Sequence, residues 1–200
     1  GIADVQVRNQ GTLGGSLAEA DPSGDWGPVL LTLSTQVRAV GPQGERTIQL
    51  SDFFVDAYTT SLGPGELVRE VVVEIPPKNS GGAYLAFKRC APVYATASVA
   101  VQLTLDDKNI CREARMALGC VGLTAIRPGE AERALQGQTI NRTSIEAAVE
   151  AARAAADPQP DMRGSAELKR ELVGVLLRRA IVIAVRRARG ERVEGGHIYA

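Results

Sequence analysis

The sequence has one histidine, His197, in its last residues, and three cysteines, Cys90, Cys111 and Cys120, none of them in C-x-x-C spacing. A lone imidazole in a tail leaves Ser-His-Asp and Cys-His catalysis without a base, so neither is assigned. Three unclustered thiols argue against a disulfide framework and against a zinc or iron–sulfur site within the chain. They predict reduced thiols in a cytoplasmic protein. An excess of charge is also lacking: 23 Lys and Arg stand against 23 Asp and Glu, for a formal net charge of zero. Nucleic-acid binding through bulk electrostatics is thereby disfavoured. No apolar run reaches the ~18 residues needed to span a bilayer. The first residues carry neither the basic nor the apolar region of a secretory signal.

What is present is ordinary globular composition, 44% hydrophobic and 23% charged. The length of 200 residues suffices for one large domain or two small ones. "ADVQV" alternates like a strand entering the Gly14-Gly15 turn. "WGPVLLTLS" reads as a short helix, and "TQVRAVGPQGERTIQL" as a hairpin about Gly-Pro-Gln-Gly. "LSDFFVDAY" predicts a short helix capped by Ser51 or Asp52, with Phe53 and Phe54 packing inward. "GPGELVREVVVEIPP" is a turn and a β-branched strand stopped by Pro76 and Pro77. That Pro-Pro, followed by "KNSGG", is the strongest boundary in the chain.

Past the boundary, "AYLAFKR", "TASVAVQLTLD" and "EARMALGCVGL" read as three antiparallel strands, with Asp106 to Asn109 turning between the last two. Three helices follow. "RPGEAERALQG" closes at Gly137, and "NRTSIEAAVEAARAAADPQP" is capped by Ser144 or Thr143. "GSAELKRELVGVLLRRAIVIAVRRARG" closes near Gly190, its arginines forming a solvated face. The expected class is α+β, with residues 1–77 as one unit, 78–190 as a small sheet plus helices, and 191–200 as a loose tail.

"NQGTLGGSLAEADPSGD", residues 9–25, is the stretch that suggests chemistry. Adjacent glycines permit positive φ and close approach of backbone to a ligand. Successive N–H groups in such a turn can cradle a pyrophosphate, and Thr12 and Ser16 add hydroxyls at its rim. Asp25 can accept from a sugar hydroxyl. Taken alone, two glycines serve tight packing at least as well. The spacing is neither a Walker loop nor a Rossmann fingerprint.

"VQVRNQGTLGGSLAEADPSGD" resembles the second flavin-binding segment of the FAD-carrying medium subunits of the molybdenum hydroxylases, which include the carbon monoxide dehydrogenase medium subunit and the xanthine dehydrogenase flavin domain. The resemblance continues through "LSDFF", "GELVREVVVEIP" and "AYLAFKRCAPVYATASVAV" to the last helix. It implies the second half of a two-subdomain FAD-binding domain, followed by a three-stranded antiparallel sheet with about three helices. It implies that Thr12, Leu13, Gly14, Gly15 and Ser16 line the FAD pyrophosphate and the adjacent ribityl chain, and that Asp25 binds a sugar or ribityl hydroxyl. Lys88 in "AFKR" and Tyr94 in "VYATAS" fall where the family approaches the isoalloxazine. No residue of this chain is assigned as catalytic, and none as a metal ligand.

The implied function is electron transfer within an oxidoreductase. Electrons pass from molybdopterin through [2Fe–2S] clusters, both on partner chains, to FAD and then to an acceptor. The implied partners are an iron–sulfur small subunit and a molybdopterin large subunit in a hetero-oligomer. The family's preceding subdomain, with its A-G-G-x-S-type loop, has no counterpart here. The chain therefore reads as a truncated member with half its phosphate cradle missing and an apolar patch exposed. The alternative is a flavin-free docking module that binds only the iron–sulfur partner. A sugar-nucleotide enzyme of the related flavin-fold superfamily is disfavoured by the Pro-Pro boundary and the "AFKR…YATAS" run.

Overall fold

A computed structural model describes residues 2–90 and 93–194, together with the backbone of 198–199. Gly1 and His197 lie outside the described residues.

The chain opens with a helix, α1 (Val5–Gln10), where alternation predicts a strand. Asp4 decides the matter by capping it, its carboxylate accepting from the Val7 amide at 2.9 Å. Arg8 braces the turn by donating to the carbonyls of Ile2 and Ala3. Five alternating residues fit an exposed helix as well as an unpaired strand, and among the described residues no neighbouring strand offers them a ladder. The glycine pair is also helical, lying in the first turn of α2 (Leu13–Glu19) rather than in a positive-φ turn. α3 (Trp26–Leu31) follows and carries Pro28 in its first turn, where an amide has no helical acceptor.

β1 (Thr35–Gly41) and β2 (Gly44–Gln49) form the expected hairpin, turning at Gly44 with φ 107°. "LSDFF" is a 3-10 turn over Leu50–Asp52 leading into β3 (Phe54–Asp56), which pairs with β4 (Thr59–Thr60). Phe53 is buried as expected, while Phe54 packs edge-on against it and stays partly exposed. β5 (Leu67–Val73) joins the other side of β1, giving the sheet order β2-β1-β5. Val37 and Ala39 point from β1 into a core with Leu17, Leu30, Leu31, Ile48, Leu50 and Phe53. Val5, Val7 and Leu67 remain exposed on this lobe.

β6 (Ser80–Lys88), β7 (Ala97–Leu105) and β8 (Cys111–Gly119) form the second antiparallel sheet. The described parts of the tail are attached. Its residues Ile198–Tyr199 form β9, which runs parallel to the end of β6, and the Val193 carbonyl accepts two hydrogen bonds from Arg187. α4 (Gly129–Leu135), α5 (Arg142–Ala155) and α6 (Ala166–Ala188) cover one face. The cap of α5 is Asn141, with Ser144 completing a capping box from inside the helix, so the two expected caps, Thr143 and Ser144, lie two and three residues late. The arginine face of α6 is solvated and ion-paired, Arg178 with Glu146 and Arg186 with Glu191, while Arg187 donates to the Gly82 carbonyl at 2.6 Å.

The two lobes meet through the second sheet. Strand alternation sends Val99, Val101, Leu103, Met116 and Leu118 toward the helices. The opposite face presents Ala100 and Ala117 to the first lobe's core. Small residues there let α3 approach, and at Gly119 a Cβ would stand 2.6 Å from Pro28. Both faces of the sheet are thus covered at this end, and the junction carries the polar groups described next.

Candidate functional site

The first turn of α2 is shaped by Thr12, whose hydroxyl accepts from the Gly15 amide at 2.9 Å. The helical ladder starts with the Ser16 amide donating to the Thr12 carbonyl. The amides of Leu13 and Gly14 therefore have no acceptor within the helix. Each glycine has a packing reason. A Cβ on Gly14 would sit 3.3 Å from Val68 on β5, and one on Gly15 would sit 2.9 Å from the capping hydroxyl. Tight packing and an open amide edge coexist here, because Thr12 and Gly15 are exposed on the side away from β5. A phosphate group fits this edge: two amides and the Thr12 O–H can donate, and no side chain projects from residues 14 and 15.

Asp25 begins α3, about a dozen residues on, and its carboxylate meets two groups of β6 across the lobe junction. The Tyr84 hydroxyl donates to one oxygen, and the Lys88 ammonium lies 3.1 Å from the other. Tyr84, Ala86 and Lys88 share one face of β6 because a strand repeats every two residues. Ala86 between them is small enough for both long side chains to reach the same carboxylate. Lys88 is only 2% exposed, so it is a buried cation held against an acid and not a solvated lysine. Burial, and then the Asp25 charge, push the Tyr84 phenol well above its ordinary range. The same two causes push the Cys120 thiol up to about 12. Tyr84 and Cys120 therefore stay protonated beside an acid that a buried ammonium compensates. A carboxylate has lone-pair capacity for more than two donors, so Asp25 can still accept from a hydroxyl.

Tyr94 lies apart from this cluster, 57% exposed, with the Arg163 guanidinium 5.7 Å above its ring. Burial and the nearby Asp21 carboxylate raise its phenol. Asp21 likewise raises Tyr58, and its own side chain caps the local turn by accepting from the Ser23 amide. The structure thus brings Asp25 and Lys88 together, leaves Thr12 to Ser16 as a separate exposed edge, and places Tyr94 at a third position beside the Asp21 loop. Sequence reasoning missed Tyr84 and Arg163. The spacing of Tyr84 to Lys88 on an alternating strand is a usable signal, whereas nothing local marks Arg163.

Among the described residues no group of three or more His, Cys, Asp or Glu comes together, and no helix is long and apolar enough to cross a membrane. The three cysteines are unpaired with one another.

Residues 1–77 match the family described as FAD binding domain in molybdopterin dehydrogenase, and residues 82–184 match the CO dehydrogenase flavoprotein C-terminal domain. The chain is 39% identical to the 6-hydroxypseudooxynicotine dehydrogenase complex subunit alpha of Paenarthrobacter nicotinovorans, over 98% of this chain and 66% of that protein. It is 37% identical to the carbon monoxide dehydrogenase medium chain of Afipia carboxidovorans, over 94% of this chain and 65% of that protein. Among solved structures, reconstituted CO dehydrogenase from Oligotropha carboxidovorans superposes with a TM-score of 0.89 at 36% identity, over 93% of this chain and 65% of its own. Quinoline 2-oxidoreductase from Pseudomonas putida 86 gives 0.84 at 32% identity, over 94% of this chain and 65% of its own. The chain spans about two thirds of the length of these relatives. It belongs to the FAD-binding flavoprotein subunits of the molybdopterin dehydrogenases, an oxidoreductase family.

Proposed function

We propose that this chain is the flavin-carrying part of an electron-transfer subunit, passing electrons from a partner's iron–sulfur clusters through FAD to an acceptor. The observation that carries the reading is the succession of two family matches along one chain, an FAD-binding domain and then a CO dehydrogenase flavoprotein C-terminal domain. We take the division near residues 77–78 as the domain boundary, with 78–190 as the second domain. The relatives' designations as medium chain and complex subunit support a hetero-oligomer with an iron–sulfur small subunit and a molybdopterin large subunit. The free cysteines suit a cytoplasmic setting.

When bound, FAD supplies the redox chemistry, and the protein supplies binding, orientation and electrostatics. Leu13 and Gly14 donate amides to the pyrophosphate, and Thr12 and Ser16 add hydroxyls at its edge. Gly14 and Gly15 keep that edge free of side chains. Asp25 accepts from a ribityl or sugar hydroxyl. Lys88 acts through Asp25, holding it aimed, and Tyr84 fixes its second oxygen. Tyr94 stands at the isoalloxazine side. No acid or base of this chain takes part in substrate oxidation, which occurs on the molybdopterin subunit.

The test is the visible spectrum of the full-length subunit after incubation with excess FAD and desalting. Native protein retains a flavin band, while Gly15→Val, which displaces the Thr12 cap and fills the amide edge, loses it with the far-UV circular dichroism intact. Native protein that emerges colourless refutes the reading and leaves a flavin-free docking module.

A further inference from the structure

The loop between α5 and α6 is built more firmly than a connection requires. Asp161 and Gly164 exchange backbone hydrogen bonds at 3.1 Å in both directions. The Asp161 carboxylate accepts from the Arg163 amide at 2.8 Å and pairs with Lys169 at 3.0 Å. Lys169 is itself buried and donates to the Gln159 carbonyl at 2.8 Å. Burial would raise Asp161, yet Lys169 and the Arg163 amide outweigh it and hold the carboxyl below its ordinary value. The buried Thr96 hydroxyl donates to the Arg163 carbonyl at 3.4 Å, tying the loop to the start of β7. The backbone that carries Arg163 is thus fixed on two sides.

From that base the guanidinium reaches across the lobe junction. Its Nη1 donates to the Ser23 hydroxyl at 3.0 Å, its Nε lies 3.3 Å from Asp161, and its face covers Tyr94. Ser23 sits in the middle of the segment from Ala20 to Asp25, whose far end is held by Tyr84 and Lys88 at Asp25. The Ala20 carbonyl accepts from the Tyr58 amide and the Pro22 carbonyl from the Cys120 amide, at 2.9 and 3.2 Å. Ala20, Tyr58 and Cys120 all hold φ between 52° and 64°, a conformation that non-glycine residues keep only where surroundings impose it. Ala20 lies in the segment and Tyr58 and Cys120 bond to it, so its path is set from outside; Arg163 is the contact that reaches its middle, at Ser23, from the α5–α6 loop.

We propose that Arg163 is a positioning residue of the flavin site, holding the Ala20–Asp25 segment and Tyr94 in one arrangement across the two lobes. This rests on the reading that the segment and Tyr94 flank the flavin. The planar guanidinium suits the task, since its edge donates to Ser23 and Asp161 while its face stacks on an aromatic ring. An ammonium has no planar face to lay on the ring while it donates to both. The consequence is a mechanical link: displacement of the α5–α6 loop is felt at Asp25 and at Tyr94 together.

The experiment uses Arg163→Ala and Arg163→Lys in the full-length subunit. Amide hydrogen exchange of residues 20–25 and 93–96 is followed without FAD. FAD affinity and the absorption envelope and fluorescence of bound flavin are then measured. We expect exchange to rise in both segments in Arg163→Ala, FAD affinity to fall about 10-fold, equivalent to about 1.4 kcal/mol, and the flavin spectrum to change. Arg163→Lys should recover only part of each. Exchange unchanged in either segment overturns the link. Faster exchange with FAD affinity and spectrum unchanged also overturns it; if Gly15→Val still abolishes FAD retention, the flavin-site reading survives without Arg163. Should Gly15→Val retain FAD as well, that reading has failed and the proposal falls with it.

Discussion

Replacing Asp25 with Ala tests the junction most directly, because its carboxylate compensates a cation that is 2% exposed. Removing one partner of a buried ion pair costs about 3–5 kcal/mol, since the remaining charge has lost the ion that compensated it. The lower end applies here, as Lys88 keeps further contacts. The largely buried Tyr84 hydroxyl also loses an acceptor, worth about 1 kcal/mol. The expected total is about 4 kcal/mol. For a chain of this size each kcal/mol lowers Tm by about 2–4 °C, so the melt should fall by about 8–16 °C. Urea unfolding of purified wild type and variant reads the difference directly, provided the slope is unchanged. The decisive control is Asp25→Ala with Lys88→Met. Apolar replacement of a buried pair is often neutral, so the double variant should be more stable than Asp25→Ala alone. A loss under about 1 kcal/mol for Asp25→Ala, or simple additivity of the two changes, refutes the argument that this pair is an energetic tie between the lobes.

Glu66 gives a pH prediction. Hydrogen bonds from Arg46 and from the Gly63 amide lower its carboxyl from 4.5 to about 2. A depressed carboxyl contributes stability that is present above the unfolded value and is lost as pH falls through the folded one. Wild type should therefore lose stability between pH 4.5 and 2 more steeply than Glu66→Gln; parallel acid-unfolding curves would sink this assignment. Gly81 faces the backbone of α6, where a Cβ would stand 2.1 Å from the Ala184 carbonyl and 2.4 Å from the Ala188 amide. Gly81→Ala should cost about 3 kcal/mol by forcing α6 off β6, and a melt within about 2 °C of wild type would show that the helix can yield.

Much of the fold was legible because its signals are local. The Gly-Pro-Gln-Gly turn, the β-branched run before Pro76-Pro77, the three alternating strands after it and the long apolar spacing of α6 each specify an element without help from elsewhere. The errors fall where two periods share few residues. "ADVQV" satisfies a strand and a short helix equally, and Asp4 tips it toward the helix. "LSDFF" contains the expected buried Phe53, but one 3-10 turn places it and the next residues enter a strand. At α5, Thr143 and Ser144 both suit a cap on composition, and only the extended backbone of Asn141 selects the residue two before Thr143.

The candidate site divides along the same line. The sequence by itself determined the family segment from Asn9 to Asp25, the residue types an anion edge requires, and the strand that carries Lys88. Tertiary structure alone decided that Asp25 meets Tyr84 and Lys88 on one face of that strand, because the meeting depends on Ala100, Ala117 and Gly119 being small enough for α3 to settle against the second sheet. It alone brought Arg163 to Ser23 and Tyr94, across 140 and 69 positions of chain. Local propensity acts over one turn or one ladder step. Contacts at such separations are set by how two buried faces pack, and no short stretch of sequence carries that information.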